Sequence, residues 1–251
     1  MKLFFRAAAV LGAVVSVVPS AAQEPAAEEL SLRVLPLGNR APFTQVVRDG
    51  VRHETDPPEG SLPPRELSVG LEPREGAEER GEKVMRLRLG EISPELRLPP
   101  ADPPAVVMRD VEKDRVWLKR GLAGSNATLL VVWRTGKTWD EVRSIALDDS
   151  AAAIPAGSAR VVNAAPAEVG VVWGKQRFRL PAGRSMLLRY PEGSRAVPLQ
   201  ILHAGKDGKL RPCLSTTAEA DPSKRRQWFV FRSDRADARS PFQVLPVAEP
   251  R

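Results

Sequence analysis

The chain has one cysteine, two histidines and one tyrosine in 251 residues, and each scarcity removes a class of chemistry. Cys213 alone forms no internal disulfide, so stability has to come from packing and not from covalent staples. A lone thiol in an oxidising compartment is expected to be buried and inert. His53 and His203 are too few for a histidine-based metal centre, which takes three or four ligands. His53 lies in a charged, loop-like stretch and His203 closes a strand-like run, so both are expected at the surface or at a strand edge. No H-E-x-x-H spacing, glycine-rich phosphate loop or G-x-S-x-G elbow occurs. No catalytic, cofactor-binding or metal-binding residue is therefore assigned, and the sequence reads as that of a non-enzyme needing no cofactor.

Long apolar runs are also scarce. The only one, Ala7–Val18, follows Lys2 and Arg6 and precedes Pro19 and the small residues Ser20-Ala21-Ala22. That order is the signature of a cleavable signal peptide, residues 1–22, with the cut before Gln23. The run is shorter than the roughly 20 apolar residues that span a bilayer. The chain is thus expected to be exported to the periplasm, envelope or exterior, with no transmembrane span after cleavage. Residues 23–29 form a short polar leader.

The net charge is +7, two of it from Lys2 and Arg6, and the remaining basic residues are scattered. A nucleic-acid reader would show a clustered basic stripe. Another envelope protein or an anionic surface polymer is the expected partner class.

Prolines (24) and glycines (18) divide the rest into short runs. Leu30–Leu37, Val84–Leu89, Ala105–Met108, Val116–Lys119 and Thr128–Arg134 read as strands in the first half. Ser158–Asn163, Glu168–Trp173, Gln176–Leu180, Ser185–Tyr190, Val197–His203, Leu210–Thr216, Gln227–Arg232 and Phe242–Val247 follow in the second. Gly174-Lys175 and Gly205–Gly208 have hairpin chemistry, and one helical turn is expected around Trp139–Arg143.

An internal repeat organises these strands. Leu130–Arg134 and Trp228–Arg232 are both apolar runs closed by arginine, followed by a polar loop and a second strand. Arg134 and Arg232 stand 98 residues apart, as do Leu147 and Leu245, so the match needs no gap. Ser31-Leu32-Arg33-Val34 corresponds to Ser158-Ala159-Arg160-Val161. The expected fold is all-β: two tandem immunoglobulin-like β-sandwich domains at 30–150 and 151–248, joined by Asp148–Gly157, the proline-rich first being the more degenerate.

The second half also carries a resemblance. Asp148-Asp149-Ser150, Ile154-Pro155-Ala156-Gly157-Ser158, Arg160-Val161-Val162-Asn163 and Leu180-Pro181-Ala182-Gly183 form an ordered series. It resembles an uncharacterised family of exported bacterial tandem β-sandwich proteins, of the kind found in Verrucomicrobia and Planctomycetes, across about residues 128–190. The stretch Arg160–Pro166 is similar to the opening strand of a sandwich domain in bacterial surface proteins. The resemblance implies fold and address, and no activity.

For binding, Trp139 in the polar loop Thr135–Glu141 is the tryptophan best placed for exposure, although burial in a core or between domains is the outcome expected for it; Arg184, with the loop residues near it, is the other candidate contact. Trp117, Trp133, Trp173 and Trp228 lie in strand-like runs and are expected in the core. The pair Asp148-Asp149 is expected to do turn chemistry. The leading functional expectation is a non-catalytic protein that works by protein binding or assembly. The alternatives are a carbohydrate-binding accessory module and, behind it, a hydrolase with dispersed carboxylates.

Overall fold

The computed structural model describes residues 28–39, 45–72, 82–101, 104–235 and 238–250. The expected signal peptide and most of the polar leader lie outside the described residues. The fold is all-β, and among the described residues eighteen strands form two copies of one eight-strand pattern, the first with an added hairpin. The first copy comprises β1 (Leu30–Leu37), an inserted hairpin β2 (Gln45–Arg48) and β3 (Val51–Glu54), and then β4 (Glu66–Leu71), β5 (Lys83–Arg86) and β6 (Leu96–Leu98). It closes with β7 (Ala105–Asp110), β8 (Arg115–Gly121), β9 (Ala127–Arg134) and β10 (Val142–Asp148). The second copy runs β11 (Ser158–Asn163), β12 (Val169–Trp173), β13 (Gln176–Leu180), β14 (Arg184–Arg189) and β15 (Ala196–Ala204). It ends with β16 (Leu210–Glu219), β17 (Lys224–Arg232) and β18 (Phe242–Pro250).

Each copy is a two-sheet sandwich. One sheet has the order β5-β4-β7-β8 in the first copy and β13-β12-β15-β16 in the second. The other is β6-β1-β9-β10 and, equivalently, β14-β11-β17-β18. Opening and penultimate strands pair in parallel in both copies, β1 with β9 and β11 with β17. The proline-rich first copy is complete rather than degenerate, since it carries all eight strands and one extra hairpin.

Strand register refines the repeat. Arg33 and Val34 lie opposite Leu129 and Leu130, while Arg160 and Val161 lie opposite Gln227 and Trp228. Arg33 and Arg160 are therefore equivalent positions, as the sequence match has them. The ungapped offset does not hold through the closing hairpins. Arg134 pairs with Val142, whereas Arg232 pairs with Phe242, so the equivalent of Leu245 is Ile145 and not Leu147. The loop at 233–241 is two residues longer than that at 135–141. A two-residue step keeps every side chain on its face, which is why the apolar pattern matched despite it.

The two sandwiches stack into four layers. Leu130 and Val132 of β9 point with Leu32 and Val34 into the core of the first copy. Trp228 and Val230 of β17 join Val161 and Val171 in the core of the second. The intervening residues Leu129, Val131, Phe229 and Phe231 meet, with Leu35, Leu37 and Val162, in a third core between the copies. The central strands of the two inner sheets are thus apolar on both faces, so Leu129–Trp133 and Trp228–Phe231 read as continuous runs and not as alternating ones.

Four strands, β2, β3, β4 and β6, lie where the sequence predicted none. The helical turn expected at Trp139–Arg143 is instead a turn at 139–140 leading directly into β10. Gly174 makes the expected two-residue β12–β13 hairpin, with φ of 60° and Trp173 paired to Gln176. No helix among the described residues is long and apolar enough to cross a membrane.

Candidate functional site

The inserted segment of the first copy shapes a cleft. The link between opening strand and next sheet spans residues 38–65 in the first copy and only 164–168 in the second. Its last part, Thr55–Arg65, carries Pro57-Pro58 and Pro63-Pro64 and crosses the end of the sandwich as a strap. Paired prolines fix φ and leave no amide to pair with a neighbour, so the strap stays outside the sheets, with one turn in which Ser61 N donates to Pro58 O at 3.0 Å. Beneath and around it open the turn after β5, the β7–β8 turn and the β9–β10 loop, enclosing about 930 Å³.

Trp139 lines this cleft, but it offers no face to a ligand, being 2% exposed. Burial is the outcome the sequence favoured for this tryptophan, and the strap is the reason for it; the candidate contact is thereby withdrawn from the surface. Trp139 N donates to Gly60 O at 2.9 Å, which ties the loop to the strap, and its carbonyl accepts from Trp117 Nε1 at 2.7 Å. Gly60 has φ of 71°, and a Cβ there would meet the Thr138 side chain at 2.9 Å. Gly60→Ala is accordingly expected to cost about 1–3 kcal/mol through left-handed strain and overlap. As the strap lifts, tryptophan emission should move to the red; an unchanged emission maximum would show that the strap does not cover Trp139.

The charges of the cleft divide into committed and uncommitted groups. Arg86 pairs with Glu66 at 2.8 Å, Arg88 with Glu91 at 3.8 Å, and Lys113 with Asp140 at 3.2 Å. Arg115 also reaches Asp140, and the hydrogen bonds from Lys113 and Thr138 hold that exposed carboxyl below the usual range. Asp56, Glu59 and Glu112 are exposed, and no ion pair engages them among the described residues; Arg65 is the corresponding uncommitted cation. Asp110 is 4% exposed. Its Oδ1 accepts from the amides of Glu112 and Lys113 at 3.1 and 3.3 Å, closing the β7–β8 turn, while Oδ2 has no hydrogen bond among the described residues.

A second polar constellation lies at the seam between the copies. The equivalent arginines Arg33 and Arg160 converge on Asp149, together with Arg225. Arg33 Nε donates to Asp149 Oδ2 at 2.9 Å, and its Nη atoms engage both Asp149 and Glu249. Arg160 donates from Nε and Nη2 to Gln227 Oε1 at 2.9 and 2.6 Å and from Nη1 to the Asp148 carbonyl at 2.7 Å. Arg225 lies 3.3 Å from both Asp149 and Glu249. Burial pushes the Arg160 guanidinium down to about 10, with Asp149 opposing, so it remains charged at neutral pH. Burial also works against the Arg33 charge, yet Glu249 and Asp149 outweigh it and hold that group above its ordinary value.

Asp148 makes the expected turn by accepting from Ser150 N at 2.9 Å; Asp149 instead serves as counter-ion to three arginines. At the other end of β1, Asn39 Nδ2 donates to Gln243 at 2.8 Å, and Arg134 Nε donates to Asp234 at 2.7 Å. The two copies are therefore tied by polar contacts on both sides of their shared apolar core.

Arg184 opens β14 in the second copy, exposed and opposite Asn163, and it does not line the cleft that contains Trp139. The structure does not bring the two candidate contacts together. Trp117, Trp173 and Trp228 are buried as expected, and Trp133 is half-buried against the seam. His53 is exposed on β3. His203 is not at the surface: it is 6% exposed, because inward-facing positions of β15 pack it edge-on against Phe242 at 5.7 Å. No three potential ligands converge on a metal position among the described residues.

Cys213 is half-buried, with its thiol donating to Ile201 O at 3.3 Å. Burial pushes that thiol up from 9.0 to about 11. Its thiolate fraction near pH 8 should then be about 100-fold below that of the unfolded chain. Iodoacetamide labelling is expected to slow by that order in the native protein; equal rates in native and denatured protein would contradict the burial.

The site residues that sequence reading missed are Asp110, Asp149 and the strap. For Asp149 there was a signal: an arginine inside each of two apolar strands requires a counter-charge. No protein family matches the chain, and no curated protein matches it in sequence.

Proposed function

We propose that the protein is an exported, non-catalytic binding protein that engages another envelope protein through the end of its first sandwich. The observation that carries this reading is the cleft of about 930 Å³ built by an insertion that the second copy lacks. Functional segments commonly lie in loops held by a rigid scaffold, and here the scaffold is two sandwiches sharing a core and a buried charge cluster. The cleft walls set prolines and the 45%-exposed Leu62 among charged groups, so they offer a partner both apolar and polar contacts. The N-terminal leader, and the resemblance of the second half to exported bacterial sandwiches, support the export part of the reading.

The test is site-specific photo-cross-linking from position 62 in living cells, with the envelope fraction read by mass spectrometry. One dominant, stoichiometric protein adduct that is absent when the photo-reactive group is moved to position 210, on the second copy, is the expected result. Adducts spread over abundant envelope proteins, or with glycan alone, would refute it.

A further inference from the structure

We propose that the side of the second sandwich formed by β13 and β14 is a binding surface for a linear acidic polysaccharide. This surface is separate from the cleft of the first copy, and its ligand is independent of the protein partner proposed there.

The two copies differ in charge. Residues 151–251 hold 17 lysines and arginines against eight acids, whereas residues 28–150 hold 19 against 22. Part of the second copy's excess collects along one side. β13 and β14 are edge strands of the two facing sheets, joined by the short turn 181–183 and lying against each other. Phe178 and Leu180 turn into the core, so Arg177 and Arg179 face outward, about 6.5–7 Å apart along the strand. Lys175 stands in the hairpin turn before them, and Arg184 and Arg189 mark the two ends of β14. All of these cations are exposed. Glu168 pairs with Arg179 at 3.0 Å, and no ion pair or side-chain hydrogen bond engages the others among the described residues.

Cations also shield open strand edges from other strands, and the first copy shows that shielding at the equivalent place leaves no charge over. Along β5 and β6, Arg86 pairs with Glu66, Arg88 with Glu91 and Arg97 with Glu95, while Lys83 donates to the Arg97 carbonyl. Edge protection therefore does not account for the uncompensated cations of the second copy.

The main chain adds donors of its own. The β12–β13 hairpin closes on the pair Trp173–Gln176. Alternation then directs the amides of Arg177 and Arg179 away from β12, onto an edge with no strand beyond it among the described residues. Across the sheet from Arg177, the same outward row continues through Val172 to the exposed Gln200 and Ser215. A single small anion meets only part of this array. A chain with repeated carboxylates and hydroxyls between them satisfies guanidiniums, edge amides and the polar row together.

The experiment is calorimetric titration of the full protein with polygalacturonate, at low and at physiological salt, with dextran, polyphosphate and phosphatidylglycerol vesicles as comparison ligands. Saturable binding of polygalacturonate that weakens with salt is expected, and none of dextran. K175Q/R177Q/R184Q/R189Q alters only exposed side chains and should weaken binding roughly tenfold or more, with the unfolding midpoint little changed. R195Q/K206Q/K209Q/R232Q removes the same charge elsewhere on the second copy and should change affinity by less than about threefold. Equal losses in the two variants would reveal attraction to net charge alone and overturn the site, as would a wild-type protein that does not bind polygalacturonate. Tighter binding of polyphosphate or of the vesicles would overturn the assignment of a polysaccharide.

Discussion

Asp149→Ala is expected to destabilise the protein by about 3–5 kcal/mol, since it strips a shared counter-ion from a buried cluster of arginines. Asp149 neutralises Arg33, Arg160 and Arg225, and its own side chain and that of Arg160 are 5% and 6% exposed. After its removal Glu249 is the one carboxylate still paired to Arg33 and Arg225, and Arg160 keeps only Gln227 and a carbonyl. Three positive charges then lie close together in a poorly solvated seam. Because the cluster joins β1 to β11, β17 and β18, the loss should fall on the coupling between the copies. Urea unfolding is expected to shift to a lower midpoint, and the calorimetric transition to broaden or split. Asp148→Ala removes a turn acceptor, hydrogen bonds with Ser150 and Ser125 and an attraction to Arg160, but no ion pair, and should cost about 1–2 kcal/mol. Equal effects for the two variants would show that the arginine cluster does not depend on Asp149.

Phe229→Ala tests the apolar part of the same junction. Phe229 is fully buried and packs with Leu35, Val131 and Val162 between the copies. Truncation removes most of a ring from a site bounded by two hydrogen-bonded sheets, which close only partly around the cavity. The expected loss is about 3–5 kcal/mol, against less than about 0.5 kcal/mol for the exposed Leu210→Ala. Chemical denaturation of both variants measures the difference. A Phe229 variant as stable as the Leu210 variant would mean that the shared core contributes nothing to holding the copies together.

The strands were legible where local pattern decides the outcome. The β1, β11 and β13 bounds follow directly from apolar runs ended by turn residues, and Arg33 and Arg160 align in sequence as they do in space. β4 was hidden by the prolines before it and the glycine within it, and β6 by its three-residue length. The four-layer arrangement was written in the unbroken runs Leu129–Trp133 and Trp228–Phe231, since a strand with one wet face alternates. Reading those runs as ordinary half-buried strands left open how the copies pack about the linker at Asp148–Gly157. In the structure Ile154 is buried there and Gly157 N is bonded to Lys224 O. The cleft was not legible, because it depends on which loops meet at one end of a sandwich, a tertiary fact. Trp139 drew notice for being in a polar loop, but a strap more than seventy residues upstream determines its burial.

The equivalence of Arg33 and Arg160 extends to the apolar part of the seam. Corresponding faces of the two sandwiches are turned toward each other: Val131 and Phe229 occupy matching positions, as do Leu35 and Val162. A like-to-like contact of this kind is the signature of an isologous, two-fold dimer interface. The chain thus holds within one polypeptide the kind of contact that a homodimer makes between two. Two halves in one chain need not be identical. Here one carries the insertion that forms the cleft and the other has the short connection, an asymmetry not open to a symmetric pair.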